Sequence, residues 1–331
     1  MKLAVVILNF NGAKHLETFL PSVVKYSEAP IWVADNGSAD NSKKVVEGFA
    51  QVNWLALDQN YGYAGGYNEA LKKIDAEIYI LLNSDVEVTE HWLNPMRKTF
   101  EEKPEVVAIQ PKILSYTQKG SFEYAGASGG LLDLWGVPFC RGRIFNRCEK
   151  DEGQYNEEAE IFWASGACLA IRSAAFWEAG GFDPSFFAHM EEIDLCWRLH
   201  SLGKSIYAKP ESVVYHLGGG TLHKSNPRKT YLNYRNGLIM LLKNLPKKVL
   251  IRRIFVRLIL DGFSGVSFLF KGQWRDTLAI IKAHFHFYAL APKVYKASKN
   301  APRSDKALAP FSIVWQFYLL NRKTYTALPH D

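Results

Sequence analysis

Residues 78–88, IYILLNSDVEV, limit the fold more than any other stretch of the chain. An apolar, β-favouring run stops on Asn83-Ser84-Asp85, with Glu87 just beyond. Such a run reads as a buried strand, and a polar cluster at its end marks where the strand tip meets something other than core. The same signature precedes it: KLAVVILNF, PIWVADNGS and VNWLALD are strands, and VVAIQPKIL follows as another. Between them lie helical patterns at 13–26, 39–49, 67–74 and 90–102, the second with Asp40 and Asn41 as cap candidates. Strands alternating with helices predict an α/β chain with a mostly parallel central sheet flanked by helices.

In a parallel sheet the carboxyl ends share one edge, where ligands of open α/β folds sit. Four polar clusters would line it: Asn9-Phe10-Asn11-Gly12, Asp35-Asn36-Gly37-Ser38, the Gly-rich run Asn60 to Asn68, and Asn83-Ser84-Asp85. Each alone is equally a turn. Together they offer amides, carboxylates and free backbone N–H groups, which suit a nucleotide. The Gly-rich run, with Gly62 near its start, predicts close backbone approach and a helix N-terminus favourable to phosphate. It matches neither a dinucleotide-binding fingerprint nor a P-loop.

Two more constellations lie downstream. Glu191-Glu192-Ile193-Asp194 opens a helix ending near Gly203, so carboxylates complement the helix dipole there. Its neighbour GGFDPSFFAHM is too aromatic for a solvated cap, and a carboxylate held among aromatics has the raised pKa of a general base. His216 ends an apolar strand before three glycines; with Asp85 it makes an oxygen/nitrogen site for Mn²⁺ or Mg²⁺. Residues 116–160 are irregular and read as a loop or hairpin insertion, 161–172 as a strand, and 204–221 as short strands with a turn.

The charge is uneven. Residues 245–331 carry 15 Lys/Arg against 4 Asp/Glu, whereas the whole chain is only +7. The apolar run in 247–270 is interrupted by Arg257 and Asp261, which excludes a clean spanning helix. Helices with a basic face and an aliphatic-aromatic face are expected, either at a membrane surface or packed on the body. No nucleic-acid recognition module is present, so nucleic acid is not an expected partner. The start MKLAVVILNFNG lacks a cleavage site and reads as a first strand; the four cysteines have no metal-type spacing, which fits reduced thiols in a cytoplasmic protein.

Taken in order, NFNG, VADNGSADNS, QNYGYAGGYN, LLNSDVEV, SGACLAIR, GGFDPSFFAHMEEIDLCWRLHSLG and YHLGGGT resemble family 2 glycosyltransferases of the GT-A fold, in particular a bacterial rhamnosyltransferase-like branch. The resemblance covers residues 1–244, with a nucleotide-binding half at 1–115 and an acceptor and catalytic half at 116–244; residues 245–331 are a basic helical extension. It implies an inverting transfer of a sugar from a nucleotide-diphosphate donor to a hydroxyl of a cell-surface glycan or polyprenyl-linked acceptor, at the inner face of the membrane. Asp35 would contact the base. Asn9, Asn11, Asn36, Asn60, Gly62, Asn68, Asn83 and Ser84 would surround the donor. Asp85 and His216 would hold a divalent metal ion. Glu192 stands where the family has its base, with Glu191 and Asp194 as alternatives. Asn83 replaces the family's usual first Asp in the D-x-D position. The rivals are a non-catalytic glycan-binding protein and a sugar-phosphate nucleotidylyltransferase, the latter wanting a basic Gly-rich loop after strand one that Asn9-Phe10-Asn11-Gly12 does not supply.

Overall fold

The computed structural model describes residues 1–218 and 226–329. Its strands are β1 (Leu3–Asn9), β2 (Ile31–Asp35), β3 (Val52–Ala56), β4 (Ile78–Asn83), β5 (Val86–Val88), β6 (Val106–Ser115), β7 (Gly130–Leu132), β8 (Pro138–Cys140), β9 (Arg143–Ile144), β10 (Arg147–Cys148), β11 (Ala159–Glu160), β12 (Cys168–Arg172) and β13 (Ser205–His216). Its helices are α1 (Ala13–Tyr26), α2 (Ser42–Glu47), α3 (Gly62–Leu71), α4 (Asn94–Glu102), α5 (Ser173–Glu178), α6 (Glu191–Ser201), α7 (Pro227–Asn244), α8 (Lys247–Phe270), α9 (Trp274–Ser298) and α10 (Ile313–Tyr318).

The main sheet runs β11-β13-β6-β12-β4-β1-β2-β3, with β5 paired to β13. β4, β1, β2 and β3 are parallel, as the alternating pattern predicts. β12 enters antiparallel between β4 and β6, so the sheet is mixed. Alternate residues of β1 feed separate cores: Leu3, Val5 and Ile7 pack with α1 and α4, while Ala4 and Val6 pack with α3, α5 and α6. Period-two geometry imposes this on any strand with both faces covered.

Three expectations are revised. The Gly-rich run is helix, not loop: α3 begins at Gly62, whose φ of +71° starts the turn, and its first N–H is taken by Asn60 Oδ1 at 2.8 Å. Downstream, 205–216 is one strand, carried past a register shift between Lys209 and Val213. The 116–160 insertion contains a four-stranded sheet, β10-β9-β8-β7, whose Phe139 and Ile144 pack against Ile313, Phe317 and Leu328 from the far end of the chain.

Arg257 and Asp261, which interrupt the apolar run of α8, point inward. They pair at 2.8 Å, with His284 on Asp261 at 3.2 Å and Gly136 O accepting from Arg257 Nη1 at 2.9 Å. Large apolar side chains point outward instead. Ile251, Phe255, Ile259, Phe263, Val266 and Phe270 recur every three or four residues along α8, with Ile251 83% and Phe270 90% exposed. Trp274, Leu278, Ile281, Phe285 and Tyr288 continue this exposed stripe along α9. Among the described residues, no helix is long and apolar enough to cross a membrane.

Candidate active site

The tips of β1, β2 and β4 are level, with Asn9 opposite Asp35 and Leu8 opposite Asn83. The turns beyond them interlock. Asn9 Nδ2 donates to Asp35 Oδ1 (3.0 Å), and Ser38 N donates to Asp35 Oδ2 (3.0 Å). Asn11 Oδ1 accepts from Ala39 N at 2.8 Å. Asn36 donates to Gly62 O (2.9 Å) and accepts from Tyr61 N (3.0 Å), which ties in the Asn60–Gly62 turn. A Cβ on Gly12 would lie 2.3 Å from Asn9 Oδ1 and 3.5 Å from Ser84 Oγ, so this approach of turns requires glycine. The edge therefore gathers Asn9, Asn11, Asp35, Asn36, Asn60, Gly62, Asn83, Ser84 and Asp85. Asn9 Oδ1 is buried there without a partner.

Two donor-site expectations are modified. Asn68 faces away from this edge and ties down Phe182, accepting from its N (3.0 Å) and donating to its O (2.7 Å). The α3 N-terminus is not free for phosphate: Phe187 O accepts from Tyr63 N at 2.7 Å and from Ala64 N at 3.4 Å.

Asp85 and His216 meet. β13 pairs His216 with Val86, and Leu217 N donates to Asp85 O at 3.0 Å. Asp85 Oδ1 lies 3.1 Å from His216 Nε2. Two adjacent ligands of an octahedral cation, each at ~2.1 Å, sit about 3 Å apart, so the pair fits a shared Mg²⁺ or Mn²⁺. Among the described residues no three His, Cys, Asp or Glu side chains form a cation cage. Burial opposes charge on Asp85, but His216 outweighs it and holds the carboxyl below its ordinary value. His216 is pushed up to about 10: burial lowers it, while Asp85 and then Glu123 more than offset that. Glu123, absent from the sequence reading, approaches from the other side, with Oε2 3.1 Å from His216 Nδ1.

The second pole of the site is the start of α6. The turn before it is irregular: Phe187, His189 and Met190 all have positive φ (63°, 69° and 73°). For L-residues this costs ~1–2 kcal/mol each, so surrounding contacts must hold it. α7 supplies them. Asn236, fully buried, donates through Nδ2 to the carbonyls of Phe186 (3.1 Å), Ala188 (3.0 Å) and His189 (2.7 Å). Arg235 Nη2 donates to Ser185 O and Phe186 O.

This turn presents Glu191 and Glu192 beside Tyr63, whose ring packs on Tyr67 and Phe182. Each glutamate has an Oε2 buried without a hydrogen-bond partner among the described residues. Burial raises both carboxyls above their ordinary range. For Glu191 the charge of Glu192 adds to this; for Glu192 the first backbone N–H groups of α6 pull the other way. Glu191 is buried and Glu192 is half-exposed. Asp194 is different. It is fully buried and accepts from Arg198 Nε (2.9 Å), Lys243 Nζ (2.9 Å) and Asn244 Nδ2 (2.8 Å). Burial opposes its ionisation, but Lys243 and Arg198 outweigh that and keep the carboxylate charged. The two poles connect through Tyr63, whose hydroxyl donates to Gly166 O (2.8 Å), and the next residue's carbonyl, Ala167 O, accepts from Asn83 N (3.0 Å).

This architecture has known counterparts. The fold is similar to that of GalNAc-T7 solved with UDP, GalNAc and Mn²⁺ (TM-score 0.57, 17% identity, 75% of this chain and 48% of that one). It extends to S. aureus TarS 1-349 in complex with UDP-GlcNAc (TM-score 0.54, 17% identity, 90% and 83%). Both place the fold among GT-A glycosyltransferases. In sequence, the chain is 30% identical over 241 residues to the N-acetylglucosaminyl-diphospho-decaprenol L-rhamnosyltransferase of Mycobacterium tuberculosis, spanning 66% of this chain and 77% of that protein. The family model for glycosyl transferase family 2 matches residues 4–180 and stops short of Glu191. With the strand-edge clusters inside that match, the chain belongs to glycosyl transferase family 2.

Proposed function

We propose that this glycosyltransferase moves a hexosyl residue of the L-rhamnose type, with inversion, from a nucleotide-diphosphate donor to a hydroxyl of a polyprenyl-diphosphate-linked glycan. The observation that carries this reading is the pair of burial-raised carboxylates of Glu191 and Glu192, each with an Oε2 that has no hydrogen-bond partner among the described residues, presented by a strained turn that Tyr63 links to the strand edge. Glu192, the more accessible of the two, takes the acceptor proton as that oxygen attacks the anomeric carbon. The bond from that carbon to the phosphate oxygen breaks, and its electron pair leaves with the nucleoside diphosphate. A divalent cation, when bound at Asp85 and His216, neutralises charge on that leaving group. Asp35, Asn9 and Asn11 form the floor for the nucleoside. Asp194 is an anchor: an ion-paired, fully buried carboxylate is a poor base.

The outward aromatic stripe of α8 and α9, with Lys247, Lys248, Arg252, Lys271 and Arg275 exposed around it, rests on an anionic membrane surface, which supplies the lipid-linked acceptor. On this reading the enzyme works in the cytoplasm, peripheral to the inner face of the membrane. The relative's own name supports the acceptor class.

The test is a screen of nucleotide-diphosphate sugars with N-acetylglucosaminyl-diphospho-polyprenol as acceptor. Nucleoside diphosphate release is followed with Mn²⁺, Mg²⁺ or chelator, and the product anomer is read by NMR. Acceptor-dependent, cation-dependent release with an inverted anomer is expected. Retention of configuration, or equal turnover in chelator, would overturn the mechanism.

A further inference from the structure

Glu123 lies in the insertion, just after the bridge between Leu114 and Phe122, and is only 8% exposed. Its backbone is pinned on both sides: Glu123 N donates to Ile113 O (3.0 Å), and Ala127 N donates to Glu123 O (3.2 Å). A carboxylate buried this deeply is costly unless paired. Among the described residues its one ion-pair partner is His216, Oε2 to Nδ1 at 3.1 Å. The backbone N–H of Ala125 also donates to Oε2. Gly218, with φ of +70°, closes over the pair; a Cβ there would lie 2.7 Å from Glu123 Oε1. The other ring nitrogen of His216 faces Asp85. Each ring nitrogen of His216 thus lies 3.1 Å from a carboxylate oxygen, Nε2 in a hydrogen bond with Asp85 and Nδ1 at ion-pair distance from Glu123 but outside hydrogen-bond geometry.

A histidine can give a cation the Nε2 lone pair only if its remaining proton stays on Nδ1, and a buried Nδ1–H needs an acceptor. We infer that Glu123 is a positioning residue for the cation site: its carboxylate, 3.1 Å from Nδ1 of His216, keeps the ring's remaining proton on Nδ1 and so leaves Nε2, together with Asp85, to a divalent cation. The inference rests on the cation-assisted reading above. It adds that the insertion, outside the nucleotide-binding strands, sets how tightly the cation is held. Carboxylates behind ligating histidines fix tautomer and ring orientation and raise basicity; losing one typically weakens metal binding about 10–100-fold.

The experiment uses the full chain and Mn²⁺ as the probe, with and without UDP. Free Mn²⁺ is counted by electron paramagnetic resonance for wild type, Glu123→Gln, Glu123→Leu and Asp85→Asn. Bound Mn²⁺ is then examined by pulsed resonance for nitrogen coupling from the histidine ring. Glu123→Gln, which keeps the side-chain shape, should weaken Mn²⁺ about 10-fold. Glu123→Leu should weaken it further and reduce the nitrogen coupling, with the melting transition still cooperative. Wild-type affinity and unchanged nitrogen coupling in both variants would overturn the inference while leaving the cation site standing. Failure of the wild type itself to bind Mn²⁺ under either condition would instead overturn the cation reading.

Discussion

Replacing Asn236 with Leu tests whether α7 holds the catalytic turn. The substitution keeps approximate size and removes the amide that serves three carbonyls. Phe186 O retains Arg235 at 3.2 Å, so the carbonyls of Ala188 and His189 lose their donor. A fully buried carbonyl left unpaired costs about 1–3 kcal/mol; Ala188 and His189 are half-buried, so the loss lies toward the lower end, roughly 2 kcal/mol for the two. Three positive-φ residues already hold roughly 3–6 kcal/mol of backbone strain. The two quantities are comparable, so the turn should relax rather than keep its shape unsupported. Glu191 and Glu192 then move relative to the donor, and a shift near 1 Å costs about 10²-fold in rate. The expected result is kcat down about 100-fold with donor KM nearly unchanged, because among the described residues the Asn236 side chain bonds to Arg235, Phe186, Ala188 and His189 and to none of the strand-edge residues. Turnover is measured as nucleoside diphosphate release, and amide hydrogen exchange reports on residues 186–190. A kcat within about threefold of wild type, with exchange unaltered, would refute the clamp. Donor KM rising in step with the loss of kcat would show general damage instead.

Further outcomes follow from the same geometry. Glu192→Gln should retain donor binding and lose at least about 10²-fold in turnover, while Glu191→Gln loses much less; the reverse ranking would move the base by one residue. Burial holds the Glu192 proton to higher pH than the ~4.3 of a free glutamate, and the base works deprotonated. The acid limb of kcat/KM should therefore lie above that value and vanish in Glu192→Gln, and the stability due to this group should fall as pH rises through the same window. Asp85→Ala should abolish divalent-dependent donor binding, read by calorimetry, while the protein stays folded. Changing Phe255, Phe263 and Phe270 together to Ser should strip the protein from anionic liposomes in co-sedimentation without altering turnover on a water-soluble acceptor; undiminished binding would point away from the aromatic stripe.

The strand tips were legible because apolar runs ending in Asn9, Asp35 and Asn83 can only place those residues on a shared edge. The start of α3 was not, since Gly62, Gly65 and Gly66 carry poor helix propensity and the helix is held by Asn60 and Phe187. The inward pairing of Arg257 and Asp261 was not legible either. Hydropathy cannot tell that two opposite charges four residues apart will neutralise each other inside, leaving aromatics outside. Asn68 had the right composition for a ligand contact, but its partner, Phe182, is remote in sequence. Glu123 gave no local signal at all, because its meaning comes from a histidine on another strand.

The register shift in β13 sets the aim of that histidine. Lys209 pairs with Pro111 and Val213 with Lys112, so β13 spends three residues more than β6 across one step. Side chains alternate with period two, and every position after the shift inherits its parity. A one-residue deletion between Lys209 and Val213 that the irregularity does not absorb would turn His216, with every position after it, to the opposite face of the sheet. The length of this stretch therefore bears on whether the chain can present a nitrogen ligand, and relatives that differ there by one residue are expected to differ in cation dependence.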